Sequence, residues 1–262
     1  MLQVFPVPAF TDNYLWVIHD ERHAVVVDPG DATPVIDYLV AHNLQLEAIL
    51  VTHHHADHVG GIAALLDWHG ADPPKVFGPT TENIPHRDVA VAEGMRVDLK
   101  MLGISLEVLD VPGHTAGHIA YFERTRQWLF SGDTIFAAGC GRLLGGTATQ
   151  LHASLGRISQ LPGETKLFCT HEYTLSNIRF ARVADPDNAA LAAREQTEQQ
   201  RRQRGEPTLP TTVGVERASN PFLRCDTPAV KQSVFAHCPH LRADASSEQV
   251  FAALREWKNE FK

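Results

Sequence analysis

Thr52-His53-His54-His55-Ala56-Asp57-His58 sets the reading of this chain: four imidazoles and one carboxylate fall within six residues, directly after the apolar run Ala48-Ile49-Leu50-Val51. On an extended segment successive side chains alternate faces, so His53, His55 and Asp57 are expected on one side and His54 on the other, with a turn at the strand end bringing in His58. Nitrogen ligands followed by a mixed oxygen and nitrogen pair suit Zn, Fe or Mn better than Mg or Ca, which prefer shells of oxygen. A purification tag is the bland alternative, but a tag sits at a terminus and carries no embedded Asp-His.

Composition bounds what the cluster can serve. The chain has 262 residues, 44% of them hydrophobic and 21% charged, which describes an ordinary globular protein able to bury a substantial core. A formal charge of −8 argues against a general nucleic-acid or anionic-membrane surface, so any anionic ligand must meet a local basic patch. No run reaches the roughly 18 to 20 apolar residues of a membrane span, and Met1-Leu2-Gln3-Val4-Phe5 lacks the basic start of a signal peptide. A cytoplasmic monomer is expected. Cys140, Cys169, Cys225 and Cys238 are widely separated and form no Cys-x-x-Cys pair, which favours reduced structural thiols.

Working outward, early strands are expected at Tyr14-Leu15-Trp16-Val17-Ile18 and Ala24-Val25-Val26-Val27, the second closed by Asp28-Pro29-Gly30-Asp31. Residues 34–43 and 61–70 have helical apolar spacing, and further strands are expected at 75–77, 106–109, 119–122, 127–130 and 166–169. Beyond His171 the chain becomes charged and helical. Residues 188–204 predict a helix with an exposed face, 206–221 a proline-punctuated loop, and 228–237 a short helix. Ser246 with Gln249 has the form of a capping box opening a last helix, whose stripe is Val250, Phe251, Leu254, Trp257 and Phe261.

Three more candidate ligands stand where strands should give way to loops: His114, Asp133 and His171. Strand ends on one rim of a sheet can gather residues distant in sequence into one cleft. The set then divides into His53, His55 and His114 around one ion and Asp57, His58 and His171 around another, with Asp133 bridging. His54, His118 and Asp28 are left as structural or supporting groups. The glycine-rich Gly139-Cys140-Gly141-Arg142 and Gly145-Gly146-Thr147 lack the Gly-Lys-Ser/Thr spacing of a phosphate loop.

His53-x-His55-x-Asp57-His58, Pro112-Gly113-His114-Thr115, Ser131-Gly132-Asp133 and His171 together resemble the metallo-β-lactamase superfamily. Thr11-Asp12-Asn13-Tyr14, Val27-Asp28-Pro29-Gly30, Ala138-Gly139-Cys140-Gly141-Arg142, Thr170-His171-Glu172-Tyr173-Thr174 and Ser219-Asn220-Pro221-Phe222 narrow the resemblance to the glyoxalase II family. It spans essentially the whole chain. It implies an α+β fold: a four-layer αββα sandwich in residues 1–171, followed by a smaller α-helical substrate-binding domain in 172–262.

The implied activity is hydrolysis of S-(2-hydroxyacyl)glutathione, typified by S-D-lactoylglutathione, to glutathione and D-lactate, the second step of methylglyoxal detoxification. Two divalent ions, Zn foremost with Fe or Mn as alternatives, would be held by His53, His55, Asp57, His58, His114, Asp133 and His171. The catalytic weight falls on Asp57, His58 and Asp133. Glutathione contacts carry over to Arg142, Tyr173, Arg255 and Lys258. Leu144 stands where the family often has tyrosine, so one polar contact is missing or replaced. Arg255 and Lys258 lie three apart on the last helix and so share a face, suiting a ligand with two carboxylates. A thiolate departs near neutral pH without a dedicated proton donor. The nearest rival in the superfamily is a single-iron persulfide dioxygenase, in which Asp57 and His58 would not be ligands.

Overall fold

The β-rich part of the chain builds on Asn13–His19, a strand with every residue buried. A computed structural model describes residues 1–261, which divide into two compact units. The first holds residues 1–110, 117–132 and 170–172; the second holds 111–116, 133–169 and the chain from 173 on.

In the first unit β1 (Gln3–Ala9), β2 (Asn13–His19), β3 (His23–Val27), β4 (Gln45–Leu50), β5 (Lys75–Pro79) and β6 (Val89–Val91) lie side by side in chain order. β1 to β3 pair antiparallel and β3 to β6 parallel. β7 (Arg96–Leu99), β8 (Ile104–Asp110), β9 (Ile119–Glu123) and β10 (Trp128–Gly132) form antiparallel neighbours in a second sheet. The helices are α1 (Ala32–Ala41), the single turn α2 (Ala56–Val59) and α3 (Ile62–His69).

Leu15, Val17, Val26, Ile49 and Val76 point from one face of the first sheet onto Val35, Leu39, Ile62 and Leu65 of α1 and α3. The alternate residues Trp16, Ile18, Val25 and Leu50 are equally buried on the opposite face. Strands covered on both faces read as continuous apolar runs, which explains why β2, β3 and β4 are conspicuous in the sequence. The buried Tyr121 hydroxyl of β9 donates to the Val51 carbonyl at 2.9 Å, tying the second sheet to the end of β4.

Parallel pairing of β3 and β4, with Val27 opposite Leu50, sets the two following segments side by side. Asp28 turns out of β3 with φ +53° while its N–H still donates to the Leu50 carbonyl at 2.8 Å. Gly30 then passes so close to α2 that a Cβ there would fall 1.9 Å from the Asp57 carbonyl oxygen.

The second unit opens with a hairpin of β11 (Ile135–Phe136) and β12 (Gly139–Cys140) and the helix α4 (Ala148–Ser159), capped by a Thr147–Gln150 box. β13 (Lys166–Cys169) follows, then α5 (Thr174–Ala184), α6 (Ala189–Gln203), β14 (Thr211–Thr212) antiparallel to β13, and α7 (Val213–Ser219). A 3-10 turn at Pro221–Leu223, α8 (Pro228–His237) and α9 (Ser247–Glu260) complete it. The expected Ser246–Gln249 capping box is present.

Two expectations change here. The stretch 206–221 is not all loop, because Thr212 caps Val215 N–H and starts α7, whose inward positions are Val213, Glu216 and Ser219. Its apolar stripe is interrupted by a carboxylate, so periodicity misses it. α6 also buries a charged face: Arg194 and Glu198 are enclosed, with an Arg194 Nη2 to Glu216 Oε1 contact of 2.7 Å. Among the described residues no helix is long and apolar enough to cross a membrane.

Gly30→Ala should destabilise the fold by roughly 1 to 3 kcal/mol, the usual cost of overpacking against backbone. Urea denaturation followed by tryptophan fluorescence checks this; an unchanged midpoint contradicts the close approach.

Candidate metal centre

Within the first unit the cluster is built where β4 ends. His53 stands three residues past the end of β4, and its Nε2 lies 3.0 Å from Nδ1 of His55. Two ligand atoms about 2.0 to 2.1 Å from one tetrahedral ion stand roughly 3.3 Å apart, so this spacing fits a shared cation. His54 points the other way, as alternation requires, and both its backbone N–H and its Nδ1 lie 2.7 Å from Glu82 Oε2.

At Ala56 the chain turns helical, which departs from the expected strand alternation. Asp57 therefore leaves the His53–His55 face and joins His58 and His171, the ligand atoms of these three lying within 4.8 Å of one another. Asp57 Oδ2 is 3.7 Å from His58 Nε2, 3.5 Å from His171 Nε2 and 3.1 Å from Asn13 Nδ2, which donates to it. His171 enters through an isolated bridge with Asn13.

Three of the rings have an oxygen close to the nitrogen turned away from the cluster. His58 Nδ1 is 3.1 Å from Asp28 Oδ2, His171 Nδ1 is 2.8 Å from Asp12 Oδ1, and His53 Nδ1 is 3.1 Å from Thr52 Oγ1. Such partners fix the tautomer and leave Nε2 with a lone pair, which is how imidazole ligands are supported in metal sites. Asp28 also accepts from Thr52 N–H at 2.7 Å and from Thr52 Oγ1 at 2.8 Å, so one carboxylate organises both ends of the motif. His118 stacks on His53 with ring centroids 4.6 Å apart.

The second unit presents the same arrangement around His114. His114 Nδ1 lies 2.8 Å from the Arg142 carbonyl, leaving Nε2 3.5 Å from Asp133 Oδ2. Gly141 permits this closeness, since a Cβ there would fall 2.1 Å from the Asp133 carbonyl oxygen. The donor chemistry fits divalent metal in both units: imidazole nitrogens with oxygens behind them, next to carboxylates.

The substrate candidates lie in the second unit. Arg142 is exposed, and Tyr173 sets its ring edge-on to Phe136 at 5.4 Å. Leu144 is exposed and uses its backbone, its N–H donating to the His114 carbonyl at 2.8 Å. Arg255 is buried, only 4% exposed: its Nη1 donates to the Cys140 carbonyl at 2.8 Å, and its guanidinium lies 5.1 Å from the Phe222 ring centroid.

Lys258 is half-buried, its Nζ 5.5 Å from the Phe180 ring centroid and 5.8 Å from that of Phe261. Burial, followed by repulsion from Arg255, Arg142 and Arg179, holds its pKa below 10.5. Arg179, exposed on α5, is a cation of this patch that sequence reasoning missed. The only signal for it is proximity in the fold. Burial raises the Cys140 thiol above its ordinary range despite Arg255, so it is no thiolate nucleophile.

Comparison with known proteins agrees with this geometry. Residues 10–171 match the metallo-β-lactamase superfamily, and the fold is also that of the B3 metallo-β-lactamase BLEG-1, with a TM-score of 0.62, 24% identity and coverage of 85% of this chain and 99% of that one. The class is therefore the metallo-β-lactamase fold with a helical C-terminal region. Residues 172–261 match the hydroxyacylglutathione hydrolase C-terminus, and two relatives named hydroxyacylglutathione hydrolase align over the full chain. The one from Nitrosomonas eutropha is 49% identical over 100% of both chains, and the one from Cupriavidus taiwanensis 51% identical over 100% of both. The chain belongs to the hydroxyacylglutathione hydrolase family.

His54→Ala should leave metal content near wild type, because His54 faces Glu82, whereas His55→Ala should lose at least one ion per chain. Elemental analysis of the purified variants reads this directly, and equal losses contradict the facing of the two rings.

Proposed function

We propose that the chain hydrolyses S-(2-hydroxyacyl)glutathione, with S-D-lactoylglutathione as the type substrate, in the second step of methylglyoxal detoxification. The observation that carries the reading is the set of oriented imidazoles beside Asp57 and Asp133, in a chain that aligns end to end with hydroxyacylglutathione hydrolases. In this reading His53, His55 and His114 hold one ion, Asp57, His58 and His171 the other, and Asp133 bridges. Nitrogen-rich donors favour Zn, with Fe or Mn accepted by the same ligands.

When bound, two divalent ions supply a nucleophile at neutral pH and polarise the thioester carbonyl. Asp57, held by Asn13, orients the nucleophile as well as serving as a ligand. Asp12 and Asp28 stand against Nδ1 of His171 and His58, which leaves Nε2 of each turned toward the cluster. Release of a thiolate needs no dedicated proton donor.

Arg142, Tyr173 and Lys258 bind the glutathione moiety, Lys258 by charge; Arg255 supports the same surface from within through the Cys140 carbonyl. The proposed metal ligands all fall at or before residue 171, and the proposed substrate groups other than Arg142 fall after it, in the stretch of the second family match. A monomer in the cytoplasm belongs to the same reading, the four free thiols suiting a reducing compartment.

Steady-state hydrolysis of S-D-lactoylglutathione, with metal content measured on the same sample, tests the reading; two ions without turnover, or one iron with oxygen consumption, overturn it. Lys258→Ala should raise KM about tenfold, in the range of a lost charge-assisted hydrogen bond, and scarcely affect a small neutral thioester. Because the pKa of Lys258 is depressed, its charge is lost as pH rises through a value below 10.5, so KM should climb on the alkaline side. Lys258→Arg keeps the charge and should remove that climb. A KM indifferent to pH and to both substitutions removes Lys258 from the substrate site.

A further inference from the structure

We propose that Glu216, a buried carboxylate of α7, is a positioning residue for the metal centre, acting through the β11–β12 hairpin. The inference rests on the binuclear reading above and concerns a residue that takes no part in it directly. The hairpin has only two paired residues on each strand, too little to be stable alone. Its turn contains Ala138 at φ +56°, a left-handed conformation unfavourable for alanine.

The hairpin is held instead by side chains of the helical segments. Glu216 Oε2 accepts from Ala138 N–H at 2.8 Å. Asn220 Nδ2 donates to the carbonyls of Phe136 at 3.2 Å and Gly139 at 2.9 Å, and to Glu216 Oε2 at 3.0 Å. Asn177 Nδ2 donates to the Ala137 carbonyl at 3.1 Å. Glu216 Oε1 accepts from Thr211 Oγ1 at 2.6 Å and lies 2.7 Å from Arg194 Nη2, while Arg194 Nη1 donates to Ser219 Oγ at 2.8 Å.

Glu216 is fully enclosed and Arg194 7% exposed. Buried ion pairs of this kind contribute little stability beyond what apolar residues of the same volume provide. What a carboxylate offers, and an amide does not, is acceptors on both oxygens for four donors at once.

The held hairpin is continuous with two proposed ligands. Asp133 stands two residues before it, and Gly141, which follows it, donates to the Thr134 carbonyl at 3.3 Å and rests against the Asp133 backbone. Arg142 comes next, and its carbonyl is the group that orients His114. A shift of the turn therefore reaches the His114 tautomer and the Asp133 carboxylate together.

The test compares metal-free wild type with Glu216→Gln, which keeps the shape but turns an NH2 group toward at least one donor. Zinc affinity is measured by competition with a chromophoric chelator, and exchange of the Ala138 amide by NMR, below the unfolding range of both proteins. Zinc should bind about tenfold more weakly at the looser position, a typical effect of losing support outside the ligand shell, and Ala138 should exchange at least tenfold faster. A lowered melting temperature with unchanged zinc affinity and unchanged exchange marks a purely structural role and overturns the proposal.

Should Glu216→Gln not fold, Asn220→Ala is read in the same way. Should neither fold, the wild-type Ala138 amide decides: protection equal to that of Val25 and Val26 supports the clamp, and exchange at loop rates overturns it. A wild type that takes up no zinc overturns the binuclear reading instead, leaving the clamp to be judged by exchange alone.

Discussion

A buried imidazole can present a lone pair in a fixed direction only if its other nitrogen is engaged, and the cluster after β4 depends on that constraint. Asp28 meets it for His58, Asp12 for His171, Thr52 for His53 and the Arg142 carbonyl for His114. The arrangement reaches back into the fold, because Asp28 stands beside Thr52 only through the parallel register of β3 on β4, a register set by burial on both faces, Val25 and Leu50 on one and Val26 and Ile49 on the other. Gly30 must let α2 approach for Asp57 to turn toward His171. Packing in the sheet and donor geometry in the cluster are thus one requirement.

The parts of the fold legible in the sequence are those in which burial is apolar. β2, β3 and the end of β4 at Ala48-Ile49-Leu50 are hydrophobic runs, α9 carries a clean stripe with its capping box, and both are visible without coordinates. α7 and the inner face of α6 are not, because Arg194, Glu198 and Glu216 are enclosed by pairing with one another rather than by being apolar. Periodicity scores such residues as surface. α4 opens with a capping box as regular as that of α9, and Thr147 with Gln150 was the signal that could have revealed it.

The histidine motif announces its chemistry because ligand types crowd into few residues, and His114, Asp133 and His171 follow from standing at strand ends. The partners that orient them were less legible. Asp28 could be read as a supporting residue, but Asp12, Thr52 and the Arg142 carbonyl belong to contacts set by tertiary structure, one of them a backbone oxygen that no side-chain pattern records. Helical spacing likewise puts Arg255 and Lys258 on one face without distinguishing an enclosed guanidinium from a half-buried ammonium. The distinction comes from Cys140 and Phe222, more than thirty residues away along the chain.

The four cysteines have a bearing on durability. Cys140, Cys169 and Cys225 are buried, and burial raises the pKa of Cys140, Cys225 and the half-exposed Cys238. Disulfide exchange requires an accessible thiolate on one side or the other. A hydrolase whose product is itself a thiol works in a pool of glutathione and its oxidised dimer, where an exposed, acidic cysteine would be capped within the enzyme's working life. Burying three of its thiols and raising the pKa of the half-exposed Cys238 limits the thiolate this chain can offer to such exchange.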